Sequence, residues 1–244
     1  MATFVLIHGG IQGGWVWKRV IPLLRAAGHA VYAPTLTGCG DRAHLLSREV
    51  GLEIHVQDVV NVLEYEDLRD VILVGHSYGG TVITVVADRA PNRLTHLVYV
   101  DGAQPLPGQS MLDSWASGDP EGVRALDRQV QEHGNGWRVM PMDPREFGVT
   151  DEADIRWLNE KDTPHPYKTF QDPANYDLAR VSAIPQTIIR CIGNEPPPAE
   201  PPAWVAGRRF RTIASGHAVN VIAPQELTAL LLEVAEIATP KPNQ

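Results

Sequence analysis

A serine set among glycines follows an apolar run in Val71-Ile72-Leu73-Val74-Gly75-His76-Ser77-Tyr78-Gly79-Gly80. The run reads as a buried strand, and an apolar helical pattern begins at once, from Thr81 to Arg89. Gly75-His76-Ser77-Tyr78-Gly79 fits G-x-S-x-G, a strand-turn-helix arrangement whose tight turn holds the serine hydroxyl clear of its neighbours. Side chains must be absent around such a turn, which accounts for Gly75, Gly79 and Gly80. The plainer alternative is a Gly-rich turn with serine as a helix cap; the strand-turn-helix context favours a nucleophile at the carboxyl edge of a sheet, where open α/β sheets bind ligands.

Serine alone is a weak nucleophile and needs a base, which in turn needs an orienting acid. Among nine histidines, His217 in Ala214-Ser215-Gly216-His217-Ala218 follows the last apolar run and precedes a C-terminal helix pattern, so it falls on the same edge as Ser77. His8 ends the first run and reads as structural, and His76 is the variable residue of the serine turn. His29, His44, His55, His96, His133 and His165 read as surface or packing residues. No histidine pair has convincing metal-ligand spacing, so no metal is expected. A developing oxyanion needs backbone N–H donors. Tyr78 is expected to supply one, and Gly10, in the loop His8-Gly9-Gly10-Ile11-Gln12-Gly13-Gly14, the other. That loop lacks both G-x-G-x-x-G and a Gly-Lys-Ser/Thr ending, which argues against a phosphate cradle.

The elements that must position these residues are short apolar runs at 3–9, 30–36, 70–76, 94–102, 186–193 and 208–214. Several are apolar without alternation, as in parallel strands covered on both faces. Val56, Val59, Val60 and Leu63 fall at helical spacing, as do Leu227, Leu230, Leu231 and Val234. Pro22 lies in the first turns of a helix expected to end at Gly28. Strands alternating with helices predict a parallel α/β sheet. The alternation breaks at 104–181, a stretch without a convincing strand, read as a helical lid inserted after the fourth strand; 1–103 and 182–244 form the core. Trp15, Met111, Trp115, Trp137 and Trp157 are candidate pocket walls, or else pack the lid onto the core. The proline-rich 194–202 reads as a stiff loop and the last six residues as a frayed tail.

Composition bounds the rest. The chain has 244 residues, 43% hydrophobic and 20% charged, with a net charge of −8, and no run of Lys and Arg to attract nucleic acid or an anionic membrane. Two cysteines, Cys39 and Cys191, form no disulfide framework and read as buried free thiols. Neither a signal peptide nor a membrane span is apparent, and a cytoplasmic location is expected. A small-molecule ester is the expected partner; a homodimer is left open.

Phe4-Val5-Leu6-Ile7-His8-Gly9-Gly10-Ile11-Gln12-Gly13-Gly14-Trp15-Val16-Trp17, the stretch 23–38, the serine turn and Gly216-His217 together resemble the α/β-hydrolase fold. They resemble most closely its branch of plant methylesterases, hydroxynitrile lyases and related bacterial esterases, in family order over nearly the whole chain. The resemblance implies six parallel strands and a cofactor-free esterase with Ser77 as nucleophile, His217 as base, and Gly10 and Tyr78 as oxyanion donors. The sequence departs from the branch at two places. Where the plant enzymes carry the triad aspartate, this chain has the neutral Asn194, followed by Glu195. Asp101, at the end of the preceding strand, is the preferred acid, with Glu195 and a degenerate triad using Asn194 left open. Gly9 and Ala218 also stand where the lyases have threonine and lysine, which weakens a lyase reading. A ligand-binding protein, or a cofactor-free lyase or decarboxylase, remains the alternative on the same scaffold.

Overall fold

The apolar strands need cover on both faces, and the fold supplies it. The structure, a computed structural model, describes residues 1–198, 200, 202–205 and 207–238. Its strands are β1 (Thr3–Ile7), β2 (Ala30–Tyr32), β3 (Val71–His76), β4 (Leu94–Val100), β5 (Arg138–Val139), β6 (His165–Pro166), β7 (Gln186–Cys191) and β8 (Arg209–Ile213). Six of them form one parallel sheet in the order β2-β1-β3-β4-β7-β8. Val5, Ile7, Leu73, Leu97 and Tyr99 enter one core layer, whereas Phe4, Leu6, Ile72, Val74, Val98 and Val100 enter the other. Side chains alternate between the faces while both faces are apolar, so the strands show no polar alternation.

The helices are α1 (Ile21–Ala26), α2 (Leu52–Tyr65), α3 (Gly79–Arg89), α4 (Met111–Ala116), α5 (Pro120–His133), α6 (Glu152–Lys161), α7 (Lys168–Gln171), α8 (Leu178–Ser182), α9 (Val219–Ile222) and α10 (Pro224–Ala238). Val56, Val59 and Leu63 of α2 join Val82 and Val86 of α3 on the first face. Leu24 of α1 and Leu227 and Leu231 of α10 cover the second. The chain runs from β1 outward to β2 and then returns to place β3 on the other side of β1. The reversal opens a crevice at the carboxyl ends of β1 and β3, the usual ligand position in such sheets.

Three expectations need correction. The second strand ends at Tyr32 rather than extending to 36; Pro34 follows, and proline has no N–H to give a ladder. The inserted stretch does hold strand: β5 and β6 pair antiparallel, with the Tyr167 N–H donating to the Trp137 carbonyl at 2.9 Å. Two residues are too few for alternation to be read. The expected core boundary at 182 falls inside α8. The proline-rich loop is exposed at 193–198; Ala199, Pro201 and the tail 239–244 lie outside the described residues.

Five imidazoles are buried among the described residues: His8, His55, His76, His96 and His165. Burial holds His8, His55 and His96 down at about 4, His76 at about 3, and His165 well below the ordinary value of 6.5. They are neutral in the fold but take up protons once unfolded, so below pH 6.5 the unfolded chain binds more protons and stability falls as the pH drops towards 4. Asp162, pushed up by burial to about 7, works in the opposite sense, but it is one carboxyl against five imidazoles. The unfolding free energy from urea titration, and the midpoint with it, is therefore expected to fall between pH 7.5 and 5, the free energy by about 1–2 kcal/mol per buried imidazole. A midpoint that is flat or rises over that range would contradict the assignment of neutral buried histidines.

Candidate active site

Ser77 sits between β3 and α3 in the left-handed region, with φ 52. Such a conformation costs a non-glycine residue about 1–2 kcal/mol, and neighbouring backbone groups hold it. The Ser77 N–H donates to Val100 O at 3.2 Å, and its carbonyl accepts from the N–H groups of Gly80 and Ala103, both at 3.0 Å. The turn also presses against the end of β1. A Cβ on Gly79 would stand 2.7 Å from Ile7 O and 2.8 Å from His8 O, so only glycine fits.

His217 lies on the loop after β8. Its Nδ1 faces Asp101 Oδ2 at 2.6 Å. Asp101 is the first residue past β4 and also has positive φ, 44. Its N–H donates to Ile189 O at 2.8 Å, which ties it to β7. Its other oxygen, Oδ1, accepts from the Cys191 N–H at 3.3 Å and lies 3.6 Å from Arg190 Nε. Burial alone would raise the Asp101 carboxyl, but the hydrogen bond and charge of His217, together with Arg190, outweigh it and hold the group below the usual carboxylate range. An ionised carboxylate accepts a proton bond, so Nδ1 carries the hydrogen and Nε2 keeps its lone pair.

The inserted stretch also builds the site. The Ala218 N–H donates to Phe147 O at 3.1 Å, and the Phe147 ring lies 5.8 Å from that of His217. From the sheet side, His76 Nε2–H donates to the His217 carbonyl at 2.8 Å. Tyr78 is anchored from behind: its phenol donates to His55 Nδ1 at 2.9 Å, and His55 Nε2–H donates to Thr37 O at 2.8 Å. Burial pushes the Tyr78 phenol well above its ordinary value, so it stays a neutral donor.

Ser77, His217, Asp101 and Gly10 line one cavity of about 1770 Å³. Met111 and Trp115 line it as well. The other candidate walls do not. Trp15 packs edge-on against Trp157 at 5.2 Å, and Trp157 carries the Arg19 guanidinium at 5.4 Å. Trp137 lies between Arg48 and Arg138, at 5.4 and 5.3 Å. These three are therefore corrected from pocket wall to packing and surface stacking, contacts that depend on a tertiary arrangement without sequence period. Glu195 is exposed at the cavity rim and Asn194 is exposed beside it; the carboxylate on His217 Nδ1 is that of Asp101. Cys39 is buried, with its sulfur 3.2 Å from His165 Nδ1, whereas Cys191 is only partly buried, a correction to the expectation for it. Sequence reasoning missed Gln12, Phe147 and Phe170 in the cavity wall. Only Gln12 lay next to a recognised motif. Among the described residues no cluster of metal-ligating side chains occurs, and no helix is long and apolar enough to cross a membrane.

Residues 4–230 match the alpha/beta hydrolase family. The chain belongs to that family. It is 37% identical to a carbendazim hydrolyzing esterase of Nocardioides sp. (strain SG-4G), over 95% of this chain and 98% of that protein. It is 28% identical to putative methylesterase 11, chloroplastic, of Arabidopsis thaliana, over 96% of this chain and 64% of that one. Among solved structures, an extracellular alpha/beta-hydrolase from a Paenibacillus species superimposes with a TM-score of 0.81 at 26% identity, covering 96% of this chain and 98% of that chain. That protein is described as sharing structural and functional homology with tobacco salicylic acid binding protein 2.

The close approach at Gly79 yields a test. Gly79→Ala is expected to cost about 1–3 kcal/mol by overpacking, lowering the melting temperature by roughly 2–10 °C. Gly118→Ala, where a Cβ would have Trp115 O at 3.9 Å, is the control and should leave melting almost unchanged. Equal melting of the two variants would remove the steric account of the turn.

Proposed function

We propose that the chain is a serine carboxylesterase acting through an acyl-Ser77 intermediate. The observation that carries the reading is the 2.6 Å contact between Asp101 and His217 Nδ1 in the cavity that also holds Ser77. His217 Nε2 takes the Ser77 proton as Oγ attacks the ester carbonyl. The Gly10 and Tyr78 N–H groups stabilise the oxyanion, each contributing about 3–4 kcal/mol. His217 then protonates the leaving alkoxide, and water activated by the same nitrogen releases the acid. Asp101 keeps the imidazole in the productive tautomer, and Arg190 and the Cys191 N–H keep Asp101 ionised and in place.

The substrate class follows from the walls. Met111, Trp115, Phe147 and Phe170 give the cavity aromatic and aliphatic surface, which suits a small hydrophobic or aromatic ester. The segment bearing α4 to α7 supplies all four side chains, and we assign it the role of a lid over the core. Likeness to a carbendazim hydrolyzing esterase and to a methylesterase supports ester hydrolysis and leaves the natural ester open.

The test is hydrolysis of a short-chain p-nitrophenyl ester, with acid and alcohol identified as products. Ser77→Ala should abolish turnover. Asp101→Asn should lower kcat by ~10⁴-fold, and Glu195→Gln should retain most activity. Loss of activity in Glu195→Gln with survival in Asp101→Asn would reverse the assignment of the acid. Turnover in Ser77→Ala equal to that of the unaltered chain would end the nucleophile reading. Products other than an acid and an alcohol would point to the lyase or decarboxylase alternative.

A further inference from the structure

Two polar atoms in the cavity wall are buried and without a partner: Gln12 Oε1 and His76 Nδ1. Gln12 is 8% exposed and His76 2%. Buried polar groups are normally paired, and an exception calls for a cause. Six other buried side-chain atoms among the described residues also lack a partner, but none belongs to a residue lining the cavity, and three of the other buried imidazoles are paired at both ring nitrogens. His8 bonds Gly9 O and the Leu36 N–H, His55 bonds Tyr78 and Thr37, and His165 bonds Cys39 and Thr169. Among the described residues, His76 Nδ1 is the one fully buried imidazole nitrogen without a partner, and it lies beside Ser77 at the Gly9 position.

Both orphans border the same space. A Cβ placed on Gly9 would lie 3.1 Å from Ser77 Cβ, 3.3 Å from His76 Nδ1 and 3.6 Å from Gln12 Oε1. Every atom met there belongs to a side chain, and the Gly9 backbone is not in the left-handed region, so the main chain does not itself demand glycine. Glycine leaves open a small polar recess touching the nucleophile. Its polarity has a definite sign. His76 Nε2–H is committed to the His217 carbonyl, so in the neutral ring Nδ1 is an acceptor. Burial keeps that ring neutral, holding it at about 3. Gln12 turns its carbonyl oxygen inward. Two acceptors converge where no donor of the protein reaches.

We infer that this recess is a subsite for a hydrogen-bond donor on the acyl half of the substrate, an N–H or O–H on the atom attached to the scissile carbonyl carbon, with Gln12 and His76 as its acceptors. The inference deepens the esterase reading and rests on it. The position next to Ser77 Cβ places the donor within a bond or two of the carbon under attack. A methylene there would leave both acceptors buried and unpaired, and sites built around hydrogen-bonding groups discriminate strongly against analogues that lack them. A water molecule is a donor too, and the test must separate it from a substrate group.

The probes are methyl N-phenylcarbamate and methyl phenylacetate, which differ by N–H against CH₂ at that atom. Their intrinsic reactivities differ, so each is compared with itself across variants. Gln12→Met is expected to lower kcat/KM for the carbamate about tenfold or more while leaving the phenylacetate within twofold. Gln12→Glu, which keeps an acceptor, should retain the carbamate activity. The same pair is titrated calorimetrically against Ser77→Ala with and without Gln12→Met, which needs no turnover. Adding Gln12→Met should weaken carbamate binding about tenfold and leave phenylacetate binding unchanged. Equal losses on both probes, as expected for a bound water or a structural role, would overturn the subsite, and so would no change on either. Absent turnover with the selective binding loss intact would instead remove the esterase reading and leave the subsite standing.

Discussion

The site depends on backbone held in a conformation it would not adopt freely. Among the described residues, six non-glycine positions have positive φ: Ile11, Asp67, Asp70, Ser77, Asp101 and Asn135. Asp and Asn enter the left-handed region readily, through local hydrogen bonds of their short side chains. Ile11 and Ser77 do not, and a β-branched residue there is a clear outlier. Both lie at the cavity, on the loop after β1 and the turn after β3, and Asp101 joins them after β4. Strain gathered at three neighbouring strand tips is the pattern of a constrained site. The sheet sustains it: Ser77 is bonded to β4 through Val100, and Asp101 to β7 through Ile189. Each tip is held by the strand next to it, so the site inherits the register of the sheet.

The same register explains why residues far apart in sequence meet. β1, β3 and β4 are adjacent, and β7 and β8 complete that side of the sheet. Their carboxyl ends bring together the loop at Gly9 and Gly10, the Ser77 turn, Asp101 and the His217 loop. The inserted segment adds further walls to the cavity. Phe147 bonds the backbone beside His217, and a Cβ on Gly10 would stand 2.8 Å from Phe170 Cζ. The insertion thus bonds the histidine loop as well as lining the cavity, so its packing bears on the geometry of the site.

Much of the core was legible in the sequence because its strands are buried on both faces. The run at 71–76 carries no polar residue until the turn, and the turn announces itself through glycines that only close backbone approach requires. Asp101 could be picked out because a strand end is a definite place, and an acid there stands beside the neighbouring tip. The tryptophans could not be sorted the same way. Trp115 faces the cavity while Trp137 stacks between two arginines, and no period distinguishes them. The pairing of β5 with β6 was hidden by its length. His55 and His165 gave no sign of lying behind Tyr78, because their contacts join α2 and the inserted segment across more than a hundred residues.

The placement of Asp101 has a physical logic. A buried carboxylate pairs with an imidazole as an ion only if it is itself kept charged, and burial works against that. At the end of β4 the carboxyl of Asp101 meets His217 on one oxygen and the Cys191 N–H and Arg190 on the other. Those three partners come from β7 and from the loop after β8, on one side of β4. A carboxylate on the loop after β7 would lack this cradle, since Asn194 and Glu195 are exposed and the Glu195 N–H is turned back to Ile192 O. With Asp101 satisfied from the sheet, a neutral residue at 194 costs the histidine nothing, and the loop beyond β7 is free to shape the cavity rim.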